Sequence, residues 1–120
     1  MSLNAYQRAR TITETPRDAE YRLMSQITGE MLIARDEGLN GPALMPVLHR
    51  NRELWNVFSH ACGTQGNGLP DALRAGIISI GLWVERFTSD VVAGRDTIDE
   101  LITVNRSIME GLARGEKMAA

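Results

Sequence analysis

Cysteine occurs once in these 120 residues, at Cys62, so no intramolecular disulfide can staple the fold. A lone thiol fits a reducing compartment, and the expected location is the cytoplasm. Long apolar runs are missing too. The richest, Ala75 to Val84, is broken by Gly76, Ser79 and Gly81 and spans about half a bilayer, so it reads as a buried helix and no membrane insertion is expected. The opening MSLNAYQRAR lacks the apolar stretch of a secretory signal. An excess of one charge is also lacking. Thirteen basic and fifteen acidic residues leave a net charge of −2, which argues against a module held on duplex nucleic acid by its phosphates. With 43% hydrophobic and 23% charged residues, the chain suits a single cored domain over residues 1–120.

What is present is helical periodicity punctuated by proline and glycine, and β-branched residues nowhere alternate with polar ones over a useful length. Thr15-Pro16-Arg17-Asp18 combines an N-cap, a proline at the first helical position and an acid near the positive end of the dipole. That helix ends at Gly38 and turns Leu23, Met24, Ile27, Met31 and Ala34 inward. Asn40-Gly41-Pro42 opens the next, with a late start or kink expected at Pro46. Its stripe runs from Leu44 through Leu48, Leu54, Trp55 and Phe58 to Cys62. Pro70-Asp71 begins a third helix with a heptad seam of Leu73, Ile77, Ile80, Val84 and Phe87, and Ile80 stands for its core. Gly76 and Gly81 inside this helix suggest close approach of a neighbour. Asp96 caps the last helix, seamed by Ile98, Leu101, Asn105, Ile108 and Leu112.

The spacing therefore predicts an all-α fold. Helices near 16–37, 42–62, 70–93 and 97–114 form a four-helix up-and-down bundle. A short additional N-terminal helix (appendage 1–14) precedes it, and a fraying tail follows at 116–120.

Chemistry-bearing motifs are scarce. His49 and His60 lie on one helix about 16 Å apart axially, too far to share a metal, and read as solvated. Cys62 has no positioned base and reads as a structural thiol. Nucleotide-binding and nucleophile-elbow patterns are absent, and the carboxylates scatter over helix faces. The chain reads as non-enzymatic, with no cofactor, metal site or catalytic residue. Arg50 and Arg52 flank Asn51, but Glu53 follows at once, so a solvated or partner-facing surface is preferred to an RNA patch. Asn51 and Asn105 interrupt apolar stripes. Either they fix register between helices, as a buried asparagine does in coiled coils, or they form a polar spot in a binding groove.

Five segments taken in order resemble one family. They are Asn4-Ala5-Tyr6, Thr15-Pro16-Arg17, Asn51-Arg52-Glu53-Leu54-Trp55, Leu69-Pro70-Asp71-Ala72-Leu73-Arg74 and Asn105-Arg106-Ser107-Ile108-Met109 with Gly111-Leu112. From about Leu3 to Leu112 the chain looks like the FlaF family of flagellar biosynthesis regulators of alphaproteobacteria. The resemblance implies a cytoplasmic protein required for flagellin production and export. Flagellin would be its partner, and FlbT and the flagellar export gate further ones. An adaptor or secretion chaperone that binds flagellin is the first expectation. A post-transcriptional regulator acting on flagellin messenger RNA, directly or with FlbT, is the alternative, and a self-associating bundle is a third. As partner contacts, Leu3, Tyr6, Asn51, Arg52, Trp55, Asn105 and Arg106 are the candidates.

Overall fold

The structure, a computed structural model, describes residues 16–119 except 65 and 67, without the side chains of residues 16, 17 and 113–119. Among the described residues four helices follow one another: α1 (Pro16–Asp36), α2 (Met45–Gly63), α3 (Asp71–Val92) and α4 (Asp99–Ala119). A 3-10 turn, Gly41–Leu44, leads into α2, which is the late start expected of a segment with prolines at 42 and 46. Among the described residues there is no strand. The N-terminal appendage and Thr15, the expected cap of α1, lie outside them.

Glycine sets two of the helix ends. Gly38 has φ +75°, Leu39 N–H bonds the Ala34 carbonyl at 3.1 Å, and Gly38 N–H bonds that of Arg35 at 3.0 Å. Gly94, φ +79°, repeats the motif, with Arg95 on Asp90 and Gly94 on Val91. This second turn consumes the residues after Val92, so α4 begins at Asp99 and Asp96 is not its cap. There Thr97 Oγ1 donates to Asp99 Oδ2 at 3.3 Å. At its other end α4 runs to Ala119, past the predicted end near 114. One glycine at 115 is a modest penalty among residues that favour helix.

The helices form a bundle in which α2 packs most extensively on α3, and α1 lies against both α2 and α4. Met24, Met31, Leu48, Trp55, Phe58, Ile77, Val84, Leu101, Ile102 and Leu112 are each at most 1% exposed. The predicted seams meet in this core, with two corrections. Leu23 is 37% exposed, because its neighbour Met24 takes the inward position and a 100° step carries Leu23 to the edge. Leu73 and Ile80 are only half-buried; Ile77, Val84 and Val91 are the deep positions of α3.

Of the two glycines in α3, only Gly81 meets a neighbour. A Cβ there would run into Ser59 Oγ and lie 3.3 Å from Ser59 Cβ and 3.7 Å from Trp55 Cε3. Nothing lies within 4 Å of a Cβ at Gly76. Gly81→Ala should therefore destabilise the bundle by about 1–2 kcal/mol despite alanine's better helix propensity. Ser59→Ala removes the obstructing hydroxyl and should recover most of that loss. Urea unfolding of the single and double variants measures the coupling, and additive effects would show that the two helices do not meet at this point.

Candidate functional site

The two asparagines on apolar stripes meet in the centre of the bundle. Asn105 Nδ2 donates to Asn51 Oδ1 at 2.9 Å and to Thr28 Oγ1 at 3.1 Å, while Asn105 Oδ1 accepts from Trp55 Nε1 at 2.8 Å. Thr28 Oγ1 passes its own proton back to the Met24 carbonyl at 2.6 Å. Thr28, Asn51, Trp55 and Asn105 are all at most 2% exposed. One cluster thus ties α1, α2 and α4 together, and Asn105 is its hub. Asn51 Nδ2 is left without a partner. Turning that amide over would set two N–H donors against each other, so the orientation is fixed by Asn105.

Asn51, Trp55 and Asn105 were expected as partner contacts, but their burial gives a partner nothing to touch while the bundle is closed. They hold the fold in register. Arg52 points the other way, one 100° step round α2. It is half-buried, and its Nη2 donates to the Glu85 carbonyl and to Ser89 Oγ, both at 3.1 Å. Its Nε lies 3.3 Å from Glu85 Oε2, so Arg52 clamps α2 to α3. Arg106 is exposed and makes no hydrogen bond or ion pair among the described residues. Leu3 and Tyr6 lie outside the described residues.

Arg74 carries a role that its sequence neighbours did not signal. Its Nε donates to the Cys62 carbonyl at 2.7 Å and its Nη2 to the Thr64 carbonyl at 3.3 Å, so it closes the C-terminal end of α2. Cys62 itself is fully buried. Burial pushes its thiol above the usual range, the Glu20 carboxylate adds to the rise, and Arg74 opposes it. A thiol held protonated in this way is a packing residue and a poor nucleophile. His49 is exposed and lies 3.0 Å from Glu53 Oε1, and His60 is exposed as well. No group of three metal-ligating side chains gathers among the described residues.

At the surface of the bundle a groove runs between α1 and α2. Leu23, Ile27, Leu54, Val57 and Phe58 line it, and Glu20, Arg50 and Glu53 stand on its rim. It holds about 270 Å³. Val57 is 65% exposed, unusual for a valine in mid-helix, and Leu23 projects from the facing helix. Arg50 is engaged by Glu30, which stiffens that edge. Periodicity alone puts Leu23 on the inward stripe and Val57 on none, so the groove has no sign in the sequence.

The model of a protein family described as flagellar protein FlaF matches residues 2–112. The chain belongs to the FlaF family. Neither a curated protein nor a solved structure matches it. Membership places the chain in flagellum biology, and FlaF is not a known enzyme family. In this FlaF-family chain the segments that carry the likeness have visible work in the fold: Asn51, Trp55 and Asn105 form the buried cluster, Arg52 holds α3, and Arg74 closes α2. Among the described residues no helix is long and apolar enough to cross a membrane.

Proposed function

We propose that the protein is a non-enzymatic, cytoplasmic flagellin-binding adaptor or secretion chaperone required for flagellin synthesis and export, and that the α1–α2 groove receives an amphipathic flagellin helix. The observation that carries this reading is the exposure of Val57 and Leu23 over a floor of Ile27, Leu54 and Phe58, with charges confined to the rim. Helix-in-groove recognition needs that arrangement: apolar anchors at i, i+3 and i+4 enter the floor, and polar flanks meet the rim. FlbT and the export gate are further partners in this reading.

Val57→Asp and Leu23→Asp should each reduce flagellin recovery in co-purification at least about tenfold, since a carboxylate replaces an anchor contact in a desolvated groove. Val57 is 65% exposed, so Val57→Asp should change stability by no more than about 0.5 kcal/mol, whereas Leu23, 37% exposed, also loses packing and should cost about 1 kcal/mol. Arg106→Glu, on another face, is the control. Recovery of flagellin by both groove variants at the parent level would move the contact elsewhere. Failure of the parent to retain flagellin would overturn the adaptor reading itself.

A further inference from the structure

We propose that the pocket at one end of the bundle, where the α1–α2 connection meets the α3–α4 connection, binds a peptide segment carrying a lysine or arginine beside an apolar residue. The pocket holds about 500 Å³, within the range of ligand-sized clefts. Its floor is apolar: Leu44, Val91 and Ile98 are 3%, 1% and 4% exposed. Gly38, Gly41 and Gly94, all with positive φ, stand in its wall, so no side chain narrows it at those points. Leu39 lines it too, yet is 40% exposed, and the apolar lining thereby continues out onto the surface. That continuity favours a chain lying across the mouth over a molecule enclosed within it.

Charge decides what such a chain must carry. The pocket contains one cation, Arg35, and two carboxylates already share it. Its Nη1 lies 3.3 Å from Asp99 Oδ1 and its Nε 3.5 Å from Asp36 Oδ1. Asp99 also opens α4 and accepts from Thr97, so the positive end of that helix is matched from within the chain. Arg95 pairs with Asp90 at 2.8 Å and leaves its neighbour Asp96 unneutralised. Asp96 lines the pocket and makes no hydrogen bond or ion pair among the described residues. The side-chain amide of Asn40, on the other connection, makes none either. An anion would find every positive group spent, whereas a guanidinium or ammonium finds a carboxylate and an amide oxygen free. The aliphatic stem of the basic side chain, with its apolar neighbour, covers the floor and Leu39. The pocket shares no residue with the α1–α2 groove, so this site is independent of the flagellin reading.

Titration of the full-length, isotope-labelled chain with acetyl-Leu-Arg-amide, followed by backbone amide chemical shifts, tests it. Saturable shifts are expected at Gly38, Leu39, Gly94 and Thr97, with a dissociation constant of about 1 mM. Acetyl-Leu-citrulline-amide, the neutral isostere, should bind about fivefold more weakly, as the loss of one exposed ion pair predicts. Asp96 is exposed and unpartnered, so Asp96→Asn should fold as the parent does and should bind the two peptides equally. Val57→Asp should leave the titration unchanged. Equal binding of the arginine and citrulline peptides by the parent would overturn the proposal, as would shifts centred on Leu23 and Val57, or none that saturate. Tighter binding of acetyl-Leu-Glu-amide would make Arg35 the recognising group and overturn it too. If agmatine alone bound as tightly as the arginine peptide, the ligand would be a free small cation and the peptide assignment would fall.

Discussion

Ile77→Asp should leave no folded domain at room temperature. Ile77 is 1% exposed in the second turn of α3, and no basic residue is among the described residues buried in the core. A buried acid must either stay ionised without a partner or take up a proton at neutral pH, and each route costs several kcal/mol. Against a total stability of about 5–15 kcal/mol, that removes most or all of the margin. Ile80→Asp should be milder, since Ile80 is only half-buried and its carboxylate can reach water. Circular dichroism and urea titration of the two variants decide the matter. A folded Ile77→Asp with parental melting, or a reversed order, would remove Ile77 from the core.

Asn105→Ala should be the next most damaging change, at about 3 kcal/mol, which for a chain of this size lowers the melting temperature by roughly 10 °C. It strands the Trp55 indole N–H and the Asn51 carbonyl together and leaves a small cavity between three helices. Asn51→Ala should cost less, about 1–2 kcal/mol, because Asn105 Nδ2 keeps Thr28 and the unpartnered Asn51 Nδ2 is removed along with the residue. Thermal melts of the two variants give the ranking. Equal losses would show that Asn105 is not the hub.

Helix positions were legible because their punctuation is local. Proline at 16, 42 and 46 and glycine at 38 and 94 act through the backbone of a few residues, and each operates in the structure where the sequence places it. The start of α4 escaped because the turn at Gly94 spends residues that Asp96 would have needed for a cap. Asn51 and Asn105 were visible as polar breaks in apolar stripes, and of the two readings left open the register reading is the one the geometry supports. Thr28 was not visible, since a threonine that satisfies itself on the preceding turn looks like any surface threonine in sequence. The roles of Arg52 and Arg74 depend on what lies across from them, and the α1–α2 groove depends on how two helices are rotated against each other. Periodicity along one helix encodes neither.

The amide hub also orders events in time. Its bonds span 50, 54 and 77 residues of sequence, whereas α2 and α3 are joined by one short loop and share the most extensive contact. As the chain leaves the ribosome, the α2–α3 hairpin closes a small loop at low entropic cost and is available early. The Trp55 indole and the Asn51 amide carbonyl wait for their partner until Asn105 has emerged. A nascent chain therefore holds α1 loosely until α4 arrives, and the domain locks as its last helix is made.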